Sequence, residues 1–284
     1  MTNVVACIDG SSTSPAVCAY AVWASKRLNA PLKFLHVLEK TDTPVQTDLS
    51  GNIGLGSREA LLKELTELDE QRGKLLIEHG RHMLEAAKAQ ALAKGIEHPI
   101  CQQRRGDLVD TLRELEAEIR LLVMGKQGED GDSLGDHISN NLERVVRTMH
   151  RPILVSPHDF VEPKSFMIAF DGSPTTRKGI EMVAGSPLFA GLPCHLIMVG
   201  NSSAEMQERL RWASTMLESA GFEVVTQIIA GEVKHVLCDY RDAHDIGMVV
   251  MGAYGHSKIR QFLVGSTTTK MIRHTSKVPL LLLR

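Results

Sequence analysis

The chain carries the same series of landmarks twice, in the same order. The first is an apolar run that ends in Asp-Gly-Ser, the second an apolar run that ends in Met-Gly, and the third a proline followed by a short apolar run. These landmarks lie at Asp9-Gly10-Ser11 and Asp171-Gly172-Ser173, at Gly125 and Gly252, and at Pro152 and Pro279. Their spacing is too long for the unit of a solenoid and suits a whole domain. The 284-residue chain is therefore predicted to contain two copies of one domain.

Each copy is predicted to be an α/β domain. Short runs rich in Val, Ile and Leu alternate with stretches of helical periodicity, as expected for a doubly wound parallel sheet covered on both faces. The segment 156–165, which contains Pro157 and Pro163, is interpreted as a linker, so the domains span 1–157 and 163–284. The predicted strands lie near 3–8, 32–37, 97–101, 120–124 and 152–156, and near 166–170, 194–199, 223–229, 247–251 and 279–283.

The first copy is longer than the second between its first and fourth strands. The Asp-Gly-Ser landmarks are 162 positions apart and the Met-Gly landmarks 127, which leaves a surplus of 35 residues in the first copy. Residues 41–57 are rich in Gly and Thr and are interpreted as a loop. Residues 58–94 place apolar side chains at helical spacing among many charges, which predicts one long amphipathic helix. This helix is either a surface for a partner or a cover for the sheet, and the cover is the preferred interpretation.

Composition excludes several classes of protein. Lys and Arg number 32 against 34 Asp and Glu, and this net charge of -2 argues against a nucleic-acid binder. The longest apolar run, 278–283, is too short to cross a membrane, and the apolar start of the chain stops at Asp9, unlike a secretory signal. Five cysteines without a CxxC pair suit reduced thiols in the cytoplasm. His79 and His82 share helical spacing but have no evident third ligand, so no metal site is predicted.

Two loops of the second copy carry the candidate chemistry. In a doubly wound sheet the ligand lies beyond the carboxyl ends of the strands. Asp171 follows the first strand of this copy, and its carboxylate can accept hydrogen bonds from ribose hydroxyls, while Gly172 permits a sharp turn. Ser173, followed by Pro174, fits the N-cap of a helix, and this structural role alone accounts for the serine.

The second loop follows the fourth strand and combines glycines, hydroxyls and positive charge. It consists of Gly252-x2-Gly255, nine residues, and then Gly265-Ser266-Thr267-Thr268. Glycines let a backbone approach phosphates closely, and the N-terminus of the helix that follows favours an anion through its free N–H groups. His256, Lys258 and Arg260 can neutralise phosphate charge. The alternative interpretation is an ordinary turn followed by a capped helix.

This order of landmarks resembles the universal stress protein family over nearly the whole chain, twice, as in its tandem members. The resemblance implies five-stranded domains of order 3-2-1-4-5 that pair as a pseudo-dimer and bind ATP, with the ribose at Asp171 and the adenine near the backbone of Val199. One position departs from the family pattern, because Gly247 stands where an Asp commonly precedes the fourth strand. The predicted binding residues are Asp171, Val199, Met251, Gly252, Gly255, His256, Gly265, Ser266, Thr267 and Thr268.

The two copies differ in the glycine loop. Ile138 of the first copy stands where the second has Gly265, and a β-branched side chain obstructs a phosphate at that backbone. From Gly125 to Ile138 four acidic residues and one lysine give a charge of -3, whereas Gly252 to Gly265 carries +2. The sequence therefore predicts ATP in the second domain and not in the first. The acidic loop is either a solvated loop or a site for a divalent ion, although it lacks a complete EF-hand pattern.

Three functions remain open on the sequence alone. The first is a regulatory module of the stress response that binds ATP, with or without Mg²⁺ or Mn²⁺ at the phosphates. The second is a slow ATPase, against which stands the absence of GxxxxGK[ST] and G-x-S-x-G motifs. The third is a scaffold for protein partners that needs no ligand. Apolar last strands invite pairing, within the chain between its halves and, as a further option, between chains in a homodimer.

Overall fold

The computed structural model of the chain describes residues 2–39, 55–126, 139–253, 271 and 277–284, with the side chains of the second helix described from residue 63. The elements of the first half are β1 (Asn3–Cys7), α1 (Ser14–Leu28), β2 (Leu32–Leu38), α2 (Leu55–Ala93), β3 (Ile100–Arg105), α3 (Leu108–Leu115), β4 (Ile119–Gly125), α4 (Asn140–Thr148) and β5 (Ile153–Ser156). Those of the second half are β6 (Phe166–Ala169), α5 (Pro174–Ala184), β7 (Cys194–Val199), α6 (Ala204–Ser219), β8 (Val224–Ile229), α7 (Val233–Ala243), β9 (Val249–Gly252) and β10 (Leu280–Leu283).

All ten strands form one sheet, in the order β3-β2-β1-β4-β5-β10-β9-β6-β7-β8. Each half thus has the order 3-2-1-4-5 with parallel neighbours, which confirms the predicted doubly wound α/β class. The two halves meet through β5 and β10, which pair antiparallel with Leu154 opposite Leu281. This pairing makes the chain a pseudo-dimer, and it covers one apolar edge strand of each half with the other.

The sheet is buried on both faces, and one apolar layer runs across the junction between the halves. Val4 of β1, Phe166 of β6 and Leu281 of β10 belong to this layer, together with the inner faces of α1 and α5. The outer strands β3 and β8 are more exposed and carry more polar residues. The third strand was predicted at 97–101 and lies at Ile100–Arg105 instead, because its polar residues lack the apolar signal by which strands are recognised.

The predicted long helix is present as α2, but it covers the sheet only near its C-terminal end. Leu84 and Ala91 are buried there, and Gly80 allows a close approach, since a Cβ at this position would lie 2.5 Å from the His36 ring. Further towards the N-terminus, Leu68 is 55% exposed and Leu75 67%. A helix of 39 residues is about 58 Å long at 1.5 Å per residue, far longer than a strand of seven residues, so most of it extends past the sheet.

The linker between the halves is anchored at both ends. Tyr20 of α1 donates from its hydroxyl to the carbonyl of Val161 at 3.1 Å, and its ring packs edge-on against Phe160 at 4.7 Å. At the other end the linker backbone crosses Gly247, where a Cβ would lie 3.0 Å from the amide nitrogen of Lys164. This contact gives a packing reason for the glycine that departs from the family pattern.

Within the part of the chain that the structure describes, no helix is both long and apolar enough to cross a membrane. No three His, Cys, Asp or Glu side chains among these residues come together as a set that could hold a metal ion. Cys18 and Cys194 are buried, and burial raises the pKa of each thiol to about 12, whereas Cys101 is exposed. The predicted loop 41–57 lies almost wholly outside the described residues.

Candidate functional site

The carboxyl ends of β6, β7 and β9 meet at one edge of the second half. Strand β6 lies between the other two, with Ala169 opposite both Ile197 and Met251. The segments that follow these strands therefore lie side by side, as is usual for the ligand edge of a doubly wound sheet. The predicted site residues that the structure places at this edge are Asp171, Val199, Met251 and Gly252.

These four residues differ in what they can offer a ligand. Val199 is the last residue of β7 and Gly252 the last of β9, so both present backbone groups at the edge. Met251 is only 6% exposed and its side chain packs, with Met271, in the apolar layer on the opposite face of the sheet from α1 and α5, which leaves its backbone alone for a ligand. The other predicted residues, Gly255, His256, Gly265, Ser266, Thr267 and Thr268, lie outside the described residues.

Asp171 is held in place by the first turn of α5. Its Oδ1 accepts a hydrogen bond from the backbone N–H of Ser173 at 2.9 Å and another from the hydroxyl of Thr176 at 2.7 Å. Partial desolvation raises the pKa of this carboxyl, but the two hydrogen bonds outweigh it and hold the pKa below its ordinary value. Asp171 is thus a charged carboxylate at neutral pH, and these two hydrogen bonds use only its Oδ1.

The turn after Asp171 has the geometry that the sequence predicts. Gly172 has a φ of 73°, which is in the left-handed region where glycine is favoured. The hydroxyl of Ser173 accepts from the N–H of Thr176 at 3.3 Å, so the serine is the N-cap of α5, as expected. Thr176 itself was missed by the sequence interpretation, although a hydroxyl in the first turn of the helix after an Asp-Gly-Ser turn is a signal that could have found it.

Gly252 lies where the glycine loop meets the turn after Asp171. A Cβ at this position would lie 3.1 Å from the Cγ2 of Thr176, the same residue that donates to Asp171. The end of β9 and the first turn of α5 therefore pack against each other, and a larger side chain at 252 would displace the threonine. The neighbouring Ala253 is 2% exposed and its N–H donates to the carbonyl of Leu283 at 2.8 Å, which fixes the start of the glycine loop to β10.

Two arginines that the sequence interpretation did not single out lie beside the Asp171 turn. Arg177 donates from Nε to the carbonyl of Gly172 at 3.2 Å, and its guanidinium lies 5.0 Å from the centre of the Trp212 ring. The Cδ of Arg209 lies so close to Gly172 that an added Cβ there would be 2.6 Å away. Arg209 also pairs with Glu205, so of these two arginines Arg177 is the one without an ion pair among the described residues.

The comparisons with known proteins agree with the geometry. The sequence model of the universal stress protein family matches the chain twice, over residues 1–157 and 163–284. The chain belongs to this family. It is 34% identical over 288 residues to the universal stress protein Slr1230 of Synechocystis sp., with all of both chains covered.

Solved structures show the same fold. A universal stress protein from Archaeoglobus fulgidus superimposes with a TM-score of 0.71 at 20% identity, covering 99% of this chain and 98% of that one. The protein PA1789 of Pseudomonas aeruginosa superimposes with a TM-score of 0.64 at 16% identity, covering 100% of this chain and 92% of that one. At these identities the likeness concerns the fold alone.

The first universal stress protein domain has the same turn with different bonds. Asp9 accepts, all on Oδ1, from the N–H and the hydroxyl of Ser11 at 3.0 and 2.6 Å and from the hydroxyl of Ser14 at 3.1 Å. Ser139, which aligns with Ser266, is the N-cap of α4 and accepts from the N–H of Leu142 at 3.1 Å. In this domain a plain capping role accounts for that serine. Ile138 and the acidic loop lie outside the described residues.

Proposed function

We propose that the protein binds ATP in its second universal stress protein domain and acts as a nucleotide-binding regulatory module in the stress response. The observation that carries the proposal is the Asp171 carboxylate. It is fixed through Oδ1, has a lowered pKa, and presents Oδ2 at the carboxyl edge of the central strand. An ionised acceptor at that place suits the two hydroxyls of a ribose.

The surroundings of Asp171 suit the remaining parts of a nucleotide. The backbone at the end of β7, around Val199, faces the same edge and can contact an adenine ring. Arg177 adds positive charge on one side of the turn, and the sequence from Gly252 to Gly265 carries a charge of +2. Attraction between these cations and a triphosphate supports ATP over an uncharged nucleoside.

Several finer features belong to the same proposal. The hydroxyls of Ser266, Thr267 and Thr268 would contact the phosphates, either directly or through Mg²⁺ or Mn²⁺. The first domain, 1–157, would bind no ATP, and the second, 163–284, would bind one molecule. Five free cysteines favour the reducing cytoplasm as the site of action.

Equilibrium titration of the full chain with ATP tests the proposal. The variant Asp171→Asn removes the charge and should weaken ATP binding at least about tenfold, because hydrogen bonds to charged groups are among the stronger ones. The matched control is Asp9→Asn, which makes the same change in the first domain and should leave the affinity unaltered. Equal loss in both variants, or no loss in either, would contradict the assignment to the second domain.

Two measurements on the purified chain distinguish the proposal from its alternatives, a slow ATPase and a scaffold that needs no ligand. Native mass spectrometry of the purified chain should show ATP bound in a one-to-one complex. Steady-state phosphate release faster than about 1 per second would instead favour an ATPase, since typical enzymes turn over at or above that rate. The scaffold is favoured by the pairing of β5 with β10, and it would be the better conclusion if neither co-purified nor added ATP binds.

A further inference from the structure

A cavity of about 200 Å³ lies where the two halves meet, on the face of the sheet that α1 and α5 cover; we call it the junction cavity. Its lining comes from both halves of the chain. Leu28 and Leu121 belong to the first half, and Val183, Phe189 and Leu281 to the second. The cavity therefore exists only because β5 and β10 pair within one chain, and it is separate from the carboxyl edge that holds Asp171.

The junction cavity arises from a difference between the two equivalent helices. In the alignment of the halves Leu28, the last residue of α1, corresponds to position 190, yet α5 already ends at Ala184. Gly185 caps α5, and the chain then forms a short 3₁₀ turn over Pro187–Phe189. The residues of the second half that stand where α1 continues its helix, among them Gly185 and Leu188, line the cavity.

The 3₁₀ turn is held to one side of the junction cavity by α1. Arg27 in the last turn of α1 donates from Nε to the carbonyl of Leu188 at 2.7 Å, and from Nη2 to the carbonyl of Ala190. Charge-assisted hydrogen bonds of this kind are stronger than neutral ones. The turn is therefore kept against α1, and the cavity stays open beside it.

The lining is apolar apart from Arg120, Ser186 and backbone groups. Arg120 is exposed at the rim and donates from Nη1 to the carbonyl of Leu28 at 3.1 Å. No acidic side chain among the described residues pairs with it. The remaining N–H groups of a guanidinium form a planar fork that matches a carboxylate.

The size of the junction cavity limits what can enter it. An engineered apolar cavity of about 150 Å³ binds benzene, so a cavity somewhat larger accepts a ring with a short substituent. We propose that the junction cavity binds small carboxylates with a compact apolar body, of the size of a substituted benzoate, with the carboxylate on Arg120 and the ring between the two halves.

Titration calorimetry of the full chain with 4-ethylbenzoate and with 4-ethylbenzyl alcohol tests this proposal. The carboxylate should bind at least about tenfold more tightly than the alcohol, since only the carboxylate pairs with the guanidinium. The variant Arg120→Leu should remove that preference. Arg113→Leu is the matched control, because Arg113 is an exposed arginine on α3 that does not line the cavity, and it should retain the preference.

A second variant tests the location. Gly185 lines the junction cavity with an ordinary φ of -88°, and a Cβ there would meet only the carbonyl oxygen of Glu181, at 3.6 Å. Gly185→Phe should therefore fill the cavity and abolish binding of both compounds. No binding of the carboxylate at millimolar concentration, unchanged binding in a folded Gly185→Phe, or an undiminished preference in Arg120→Leu would each overturn the proposal. If Gly185→Phe does not fold, Arg120→Leu decides.

Discussion

The two halves of the molecule share a strand order and the turn after the central strand, and they differ in the side chains that surround this turn. Gly10 and Gly172 both have positive φ, 84° and 73°, and each follows an aspartate at the end of a central strand. In both halves a hydroxyl at the same position of the following helix, that of Ser14 or Thr176, donates to the aspartate. The halves differ one turn earlier, because the Ser11 hydroxyl also donates to its aspartate whereas the Ser173 hydroxyl caps the helix. A fold can thus be kept in duplicate while the chemistry at its ligand edge diverges.

The largest expected effect concerns the glycine loop of the second half. Gly252→Val together with Gly265→Ile should weaken ATP binding by about 100-fold or more, which is about 2.7 kcal/mol. The added side chains would displace Thr176 from Asp171 and obstruct the approach of the phosphates. The reciprocal variant Ile138→Gly should create no site in the first half, because its loop keeps a charge of -3. Equilibrium dialysis measures the ATP affinity of both variants. ATP binding that survives the double substitution would refute the assignment of ATP to the second half alone.

A second comparison sets Gly247, which packs against the linker, against Gly73 of α2. Gly247→Val should destabilise the chain by about 2 kcal/mol, since a side chain would overlap the linker backbone at Pro163 and Lys164. Gly73→Ala is the control, because nothing lies within 4 Å of its added Cβ and alanine favours a helix, so stability should stay equal or rise by up to about 1 kcal/mol. Urea unfolding followed by circular dichroism gives both values. If Gly247→Val leaves the free energy of unfolding unchanged, the linker can move away from the added side chain.

A third comparison sets Arg27 against Arg177. Each lies over a tryptophan ring, at 5.9 Å from Trp23 and 5.0 Å from Trp212. Arg177 makes one backbone hydrogen bond, to Gly172 within its own half, whereas Arg27 makes two across the junction, to Leu188 and Ala190. We therefore expect Arg27→Met to lower the free energy of unfolding by about 2 kcal/mol and Arg177→Met to lower it by about 0.5–1 kcal/mol. Thermal unfolding of the two variants measures the difference. If both variants lose the same stability, the hydrogen bonds of Arg27 across the junction contribute little to the stability of the fold.

The smallest effect is a pH dependence from Asp171. Its pKa in the folded chain lies below the ordinary value of 3.8, so the unfolded chain binds the proton more tightly. The stability that the carboxylate contributes is therefore complete above about pH 5 and is lost as the pH falls through 3.8 towards the pKa of the folded state. The wild type should lose part of its advantage over Asp171→Asn between pH 5 and pH 3, measured by urea midpoints. A constant difference would argue against the two hydrogen bonds on Oδ1.

Much of the fold could be predicted because the repeat and the short apolar runs are local features. Nine of the ten strands lie within about three residues of their predicted ends for this reason, whereas β3 is displaced, since an edge strand such as Ile100–Arg105 needs few apolar residues. Asp171 and Gly252 could be placed at one edge because parallel strands bring their carboxyl ends together. Thr176 was missed although its place in the first turn after Asp-Gly-Ser is a local signal. Arg177 and Arg209 were missed because their part in the site comes from packing between helices and loops, which no sequence spacing displays.

The sequence by itself determined that the chain is a duplicated α/β domain and which residues end its central strands, because apolar periodicity and turn residues act over a few neighbours. Only the tertiary structure decided the antiparallel joining of β5 and β10, the Gly247 contact with the linker, and the junction cavity left by the early end of α5. These features depend on contacts between residues more than eighty positions apart. Such contacts are determined by the packing of distant segments against one another, and the local backbone preferences of each segment do not specify them.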